Sequence, residues 1–171
     1  IEYVEIRSLD INLFDPCGIN QNAMRFMEAF LIYCLLKDSP KLDDDELGEV
    51  MSNQTGTAKF GRDPSFRLFR NGQSVAVGNW ASEMLGGVLG VAAELERNDG
   101  NDSYTEAVRV MQALVDEPET TPSARIITEL QDAKTGFFGF ALELARSHRD
   151  YFASIAKPDA ASSERLRREA E

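Results

Sequence analysis

The chain has 171 residues, enough for one domain with a substantial core, and its composition of 43% hydrophobic and 27% charged residues is that of a globular protein. It carries 18 basic and 29 acidic residues, which gives a formal net charge of −11, and no basic stripe of the kind that binds a phosphate backbone is visible. These values exclude a disordered chain and argue against a nucleic-acid partner.

The cysteines and the longest apolar run indicate the compartment. Cys17 and Cys34 are too few for a disulfide scaffold, and Cys34 lies in the run AFLIYCLL, which predicts a buried free thiol. This run is shorter than the ~20 residues that a membrane-spanning helix needs. No signal peptide is visible, so the sequence predicts a cytoplasmic location and no membrane partner.

The chain opens with residues that alternate in character, IEYVEIRSL, which predicts a strand within residues 1–12. On such a strand Glu5 and Arg7 lie on the same face, ~6.6 Å apart along the chain. One interpretation is an exposed sheet face with a weak ion pair. The other is a site for phosphoryl chemistry, because a carboxylate suits Mg²⁺ and an arginine fork suits phosphoryl oxygens. The spacing alone does not choose between them.

The stretch NLFDPCG reads as a turn, and residues 20–60 then read as helical. Asn20 or Asn22 can cap a first helix that runs to about Lys37. This helix is apolar nearly all round, which predicts that it is buried, with Phe30, Leu31 and Cys34 in the core. The acidic run DDDE at 43–46 suits the first turn of a second helix, because carboxylates favour the positive end of the helix dipole.

The second half of the chain reads as a hairpin followed by a helical body. Asn71-Gly72 fits a type I′ turn, which predicts a β-hairpin over residues 66–77. Residues 80–156 form the predicted helical body. Its helices cover about 80–97 and 103–116, then one begins with Thr121 as cap before Pro122, and the last follows Gly136. The predicted tail, 157–171, is charged.

Several other patterns have simple structural interpretations. His148 is the only histidine, and it shares a helix face with apolar residues, so a core histidine is expected rather than a zinc ligand. The stretch GGVLG at 86–90 lacks the strand and turn of a dinucleotide fingerprint and is better explained by close helix packing. The DDDE run lacks the glycine and the ligand spacing of a calcium loop.

The stretch IEYVEIRSLDIN, followed by FDPCG, resembles the C-terminal half of bacterial glutamate–cysteine ligase (γ-glutamylcysteine synthetase). The resemblance continues through MRFMEAFLIYCLLKDSP, FGRDP and TPSARI, in that order, and so covers most of the chain. The first stretch is the most specific. The sequence departs at Leu13, where the family usually has proline. The stretch SNQTGTAKFGRDP keeps Asn53, Gly61, Arg62 and Pro64 but differs between them.

The resemblance implies an α+β fold that is mainly helical, with one active-site strand and a β-hairpin, as the C-terminal part of a glutamine-synthetase-like fold. It implies that Glu5 binds a divalent metal, Mg²⁺ or Mn²⁺. It also implies that Arg7 is a catalytic residue that contacts the transferred phosphate of ATP. The remaining metal ligands and most of the amino-acid pocket would belong to the N-terminal part of the same enzyme.

The implied reaction joins the γ-carboxylate of L-glutamate to the amine of L-cysteine at the expense of ATP. It proceeds through γ-glutamyl phosphate and is the first step of glutathione biosynthesis. The resemblance also implies a monomeric parent enzyme, and we expect this chain to be inactive without the N-terminal part.

Two alternatives stay open at this point. The first is another carboxylate–amine ligase of the same superfamily that uses a different amine, because the amine pocket is not in view. The second is a non-catalytic helical interaction module, in which Glu5 and Arg7 are ordinary surface charges. The start of the chain argues against such a module, because a self-contained domain is not expected to begin inside a strand whose neighbours are missing.

Overall fold

The computed structural model describes residues 3–7, 9–97, 101–133, 136–155 and 160–170. Within them the protein is mainly helical with one small hairpin, which confirms the predicted fold class. The α-helices are α1 (Gln21–Leu36), α2 (Asp44–Phe60), α3 (Val77–Glu96), α4 (Ser103–Asp116), α5 (Pro122–Ala133), α6 (Phe137–Ser154) and α7 (Ala160–Ala170). The strands are β1 (Arg67–Arg70) and β2 (Gln73–Ala76), and Pro118–Thr120 form a 3₁₀ turn.

The first two helices begin with capping side chains, and one of them, Asn20, is a cap that the sequence predicted. Asn20 caps α1, because its Oδ1 accepts a hydrogen bond from the backbone N–H of Ala23 at 2.8 Å. At α2, Asp43 Oδ1 accepts from the Glu46 N–H at 2.8 Å, and Glu46 Oε2 accepts in return from the Asp43 N–H at 3.1 Å. This reciprocal arrangement is a capping box, which satisfies two backbone donors at the start of the helix.

The hairpin has the turn that its sequence predicts. Its strands are antiparallel, with Leu68 opposite Val75 and Arg70 opposite Gln73. Asn71 and Gly72 have φ angles of 52° and 73°, as a type I′ turn requires. These two adjacent residues therefore set the pairing register of the hairpin strands.

A helical core lies inside the unit Ile19–Ile126, one of two compact units into which the chain divides. There α1, α3 and α4 pack on one another around five buried side chains, Ala29, Leu85, Val88, Ala92 and Val108. Burying these apolar groups removes them from water and is the main stabilising contribution. The other unit, formed by Ile1–Gly18 and Ile127–Glu171, contains an edge-on contact between Phe14 and Phe140 with ring centroids 6.3 Å apart.

Two predictions about the first helix are wrong. Cys34 is exposed, not buried, and Ala29 is the one buried residue of α1, all of which is described. Phe30 packs against the core but stays partly exposed, and Leu31 is half-buried. The reason is that α3 and α4 cover one side of this apolar helix, so that Leu35 on the other side is 82% exposed.

Two further differences concern the strand and the histidine. Residues 3–7 and 9–12 of the predicted strand have no regular secondary structure, and residues 1, 2 and 8 lie outside the described residues. A strand needs a hydrogen-bonded neighbour, and the described ladder pairs only β1 with β2.

His148, which the sequence predicted to be a core histidine, is half-buried. In the described part of the chain, no helix is both long and apolar enough to span a membrane.

Candidate functional site

Glu5 and Arg7 form an ion pair in the segment that precedes the first turn. Arg7 Nη2 donates to Glu5 Oε2 at 3.0 Å, and the two side chains are 82% and 52% exposed, respectively. The structure therefore brings together the two side chains that the alternating pattern placed on one face. An ion pair this exposed contributes little to stability, because water screens it. Both side chains are accessible to a ligand.

The turn that follows holds its shape through local hydrogen bonds. The Asn12 N–H donates to the Gly18 carbonyl at 2.8 Å, and the Asn12 side chain accepts from the Phe14 N–H at 3.2 Å. Gly18 has a φ of +75°, and a Cβ atom there would lie 3.1 Å from Ile11 Cγ2. A side chain at this position would be strained on both counts. This turn links the Glu5–Arg7 segment to α1 and leaves little room for substitution at its last residue.

The Glu5–Arg7 pair offers one possible ligand for a metal ion, the Glu5 carboxylate. The Glu5 carboxylate is a hard oxygen donor of the kind that Mg²⁺ and Mn²⁺ prefer. Among the described residues, no three His, Cys, Asp or Glu side chains come together as a metal cluster. Glu5 can therefore supply one carboxylate, and the rest of a complete coordination shell would have to come from elsewhere.

Asn53, which lies in the stretch SNQTGTAKFGRDP, has a structural role. Its side-chain amide donates to the Phe69 carbonyl at 2.7 Å and accepts from the Phe69 N–H at 2.8 Å. Glu49, one turn earlier on α2, accepts from the Gly72 N–H at 2.6 Å. These contacts fasten β1 and the hairpin turn to α2, so that Asn53 completes the sheet edge in place of a third strand.

The stretches FGRDP and TPSARI meet at one cleft, which sequence reasoning did not foresee. Its volume is about 260 Å³, and its lining includes Gly61, Arg62 and Pro64 of the first stretch and Thr121 of the second. Arg62 Nη1 lies 3.6 Å from Glu119 Oε2. Asp63 accepts hydrogen bonds from the side chain and backbone of Ser65, which holds the pKa of its carboxyl below the ordinary range. The one sequence feature that links the two stretches is that both carry the family resemblance.

Comparison with known proteins finds similarity to one family of ligases. The sequence profile described as Glutamate-cysteine ligase matches residues 1–57, which include Glu5, Arg7 and α1. The glutamate–cysteine ligase of Alcanivorax borkumensis is 42% identical over 164 residues, 96% of this chain and 31% of the relative. That of Pseudomonas putida KT2440 is 40% identical over 152 residues, 89% of this chain and 29% of the relative. The chain is therefore similar to one part of the glutamate–cysteine ligases, over nearly all of its own length.

A solved structure of this family extends the match to the fold. The 2.0 Å crystal structure of glutamate–cysteine ligase from Francisella tularensis in complex with AMP superposes with a TM-score of 0.79 and 27% identity. The match covers 93% of this chain and 31% of that one. The chain thus spans about a third of the length of its ligase relatives, and it corresponds to part of that fold.

Proposed function

We propose that this chain is the C-terminal part of an ATP-dependent ligase that joins the γ-carboxylate of L-glutamate to the amine of L-cysteine. The reaction passes through γ-glutamyl phosphate and is the first step of glutathione biosynthesis. The observation that carries the proposal is the position of the Glu5–Arg7 pair inside the 57 residues that match the family profile. The AMP bound to the Francisella tularensis relative supports ATP as the co-substrate.

In this proposal Arg7 is the catalytic residue of the chain. Its guanidinium is exposed and always charged, and its planar fork can donate two parallel hydrogen bonds to the oxygens of a phosphoryl group. The negative charge on these oxygens shifts as the phosphoryl group moves from ATP to the glutamate carboxylate. A guanidinium held in place stabilises that charge without having to reorganise.

Glu5 is the proposed metal ligand of the chain. It would hold Mg²⁺ or Mn²⁺ through a carboxylate oxygen, together with ligands from the N-terminal part of the enzyme. The metal, when bound, neutralises charge on the ATP phosphates and orients them. The Glu5 side chain also positions Arg7 through their 3.0 Å contact, so that one carboxylate serves both the cation and the arginine.

The proposal divides the work between two parts of the enzyme. Residues 1–171 supply one carboxylate and one arginine, whereas the other metal ligands and the pockets for L-glutamate and L-cysteine belong to the N-terminal part. We therefore expect the chain alone to show no ligase turnover and no tight ATP binding. Measurable turnover by the isolated chain would contradict this division.

Steady-state kinetics of two variants of the full-length ligase test the roles of the pair. Glu5→Gln keeps the shape but removes the charge, so the metal should bind more weakly and added Mg²⁺ should partly restore the rate. Arg7→Lys keeps a charge but loses the fork. It should lower kcat by on the order of 10²-fold with little response to Mg²⁺, because the contact strengthens in the transition state.

A second exposed pair provides matched controls. Arg109 Nη1 lies 3.4 Å from Glu106 Oε2 on α4, with side chains 62% and 58% exposed. Arg109→Lys and Glu106→Gln should leave kcat and the Mg²⁺ response unchanged. Rates near wild type for both Glu5→Gln and Arg7→Lys would show that the first pair is an ordinary surface pair. A panel of amines in the same assay identifies the second substrate, and a preference for an amine other than L-cysteine would refute that part of the proposal.

A further inference from the structure

The cleft at which FGRDP and TPSARI meet has walls that come from one compact unit. Its lining residues lie between Gly61 and Thr121, within the unit Ile19–Ile126. The loop 61–66 and β1 line it together with the start of α3, the end of α4 and the 3₁₀ turn, which packs on α4. The walls are therefore formed by this chain itself.

Most of the lining is apolar. Of the 14 lining residues, ten are apolar residues, glycines or prolines, and a mainly apolar wall with a few polar groups is typical of small-molecule sites. The half-buried side chains of α3 and α4 among them are Val77, Ala81, Leu114 and Val115. The volume of about 260 Å³ exceeds the ~150 Å³ of a cavity that holds benzene. The cleft therefore has room for one aromatic ring with a short polar chain.

The polar part of the lining favours an anion. It consists of two arginines, one aspartate and one threonine, namely Arg62, Arg67, Asp63 and Thr121. Together they carry a net charge of +1, although the chain as a whole carries −11. The Thr121 hydroxyl donates to the Pro118 carbonyl at 2.7 Å, and Asp63 Oδ1 accepts two hydrogen bonds from Ser65. The two arginines are thus the groups best placed to recognise a ligand.

Both arginines are exposed and keep donors for such a ligand. Arg62 Nη1 lies 3.6 Å from Glu119 Oε2, which is longer than a hydrogen bond, and the Glu119 side chain is 84% exposed, so water screens this pair. Arg67 Nη1 donates to the carbonyls of Pro64 at 2.8 Å and Phe66 at 3.0 Å. These bonds orient the Arg67 guanidinium but occupy only one of its three nitrogens.

We propose that this cleft binds a small monocarboxylate that carries one apolar group about the size of an aromatic ring. The apolar group lies against α3 and α4, and the carboxylate accepts hydrogen bonds from the exposed arginines. A carboxylate balances the net charge of +1, whereas a phosphate group, at about −1.5 to −2, would exceed it. The inference goes beyond the ligase reaction proposed above and does not depend on it, because the lining contains neither Glu5 nor Arg7.

Titration of the full-length protein with three probes, followed by saturation-transfer NMR of each probe, tests the proposal. Phenylacetate has both the ring and the charge, phenylacetamide has the same shape without the charge, and acetate has the charge without the ring. We expect phenylacetate to bind with a Kd on the order of 1–10 mM, as a ligand of about ten non-hydrogen atoms allows. Phenylacetamide and acetate should each bind about 5- to 10-fold more weakly.

Two variants locate the binding site. Arg62→Gln should weaken phenylacetate binding by about 5-fold and leave phenylacetamide binding unchanged, because the charged probe alone uses the guanidinium. Ala81→Leu fills part of the cleft and should weaken the binding of both probes. Arg109→Gln is the matched control, since Arg109 also pairs with an exposed carboxylate, that of Glu106 at 3.4 Å, but does not line this cleft. It should change neither affinity.

The remaining outcomes decide against the proposal. Equal affinity for phenylacetate and phenylacetamide, no binding of phenylacetate, or phenylacetate binding that Arg62→Gln leaves unchanged would each overturn it. Binding that Ala81→Leu leaves unchanged would do the same. The melting temperature of Ala81→Leu is measured alongside, and if it falls, the exposed Arg62 position decides alone. The readout is probe binding, so a failure here is distinct from a failure of the proposed ligase reaction, which is read from turnover.

Discussion

Helix α3 lies close to α1 at Gly87, and this contact gives a sharp test of the fold. A Cβ atom at Gly87 would overlap the ring of Tyr33 on α1, with Cζ at 2.9 Å and the hydroxyl oxygen at 3.1 Å. Tyr33 packs against the core, and its hydroxyl accepts a hydrogen bond from Lys37 Nζ at 3.0 Å. The ring therefore cannot move aside without disturbing the contact between α1 and α3.

The neighbouring Gly86 provides the control. A Cβ atom there would meet no described atom within 4 Å, and the same holds for Gly90. In a helix interior alanine is favoured over glycine by ~0.8–1.0 kcal/mol. Gly86→Ala should therefore raise the free energy of unfolding by about 0.5–1 kcal/mol. The sequence predicted close helix packing for the stretch GGVLG at 86–90, and Gly87 is the glycine of that stretch that makes the close contact.

Gly87→Ala gains the same helix propensity but adds an overlapping methyl group. Overpacking of this kind costs typically 1–3 kcal/mol, and we expect the upper half of that range because a ring in the core must shift. The net loss should be about 1–2 kcal/mol. The two variants should then differ by about 2–3 kcal/mol, or roughly 4–12 °C in melting temperature for a chain of this length.

Urea denaturation and thermal unfolding measure both variants, and a third substitution locates the cause. In a Tyr33→Ala background the ring is gone, so Gly87→Ala should become as favourable as Gly86→Ala. Such a double-mutant cycle isolates the coupling between the two sites. Equal stabilisation by Gly87→Ala and Gly86→Ala in the wild-type background would refute the close approach of α1 and α3.

Three further predictions follow from single contacts. Asn53→Ala removes both hydrogen bonds to Phe69 and should lower the free energy of unfolding by about 1–2 kcal/mol in urea denaturation; no loss would mean that the hairpin does not depend on α2. Val88→Ala, at a fully buried core position, should cost about 2–3 kcal/mol in the same assay, and a cost near zero would contradict its burial. The two hydrogen bonds from Arg70 hold the pKa of Glu83 below its ordinary range, so this pair stabilises the fold above the ordinary glutamate pKa and loses that contribution as the pH falls through the lowered value. NMR titration should show the pKa of Glu83 return to its ordinary range in Arg70→Met, and an unchanged pKa would assign the shift to another cause.

Local features of the fold were predictable from the sequence. The cap at Asn20, the acidic start of α2 and the turn at Asn71-Gly72 are all present, because each depends on residues three or fewer positions apart. The pairing of Glu5 with Arg7 belongs to the same class, since a spacing of two residues is enough to bring the side chains together.

Features that depend on distant residues were not predictable. The prediction that Cys34 is buried was wrong, because the periodicity of α1 shows that the helix is apolar but does not show which elements cover it. The structural use of Asn53 depends on Phe69, 16 residues away, and no local pattern links the two. The cleft shared by FGRDP and TPSARI likewise exists only once α3 and α4 have packed.

The wrong prediction for α1 is itself informative, because the premise behind it was sound. A helix that is apolar nearly all round is stable in water only when both sides are covered, since each exposed leucine forgoes the roughly 1.5–3 kcal/mol that full burial gives. In the described structure α3 and α4 cover one side, and Leu35 on the other is 82% exposed. Natural helices rarely retain such a face without a partner. The segment that carries Glu5 and Arg7 leads, through the turn that ends at Gly18, into this helix.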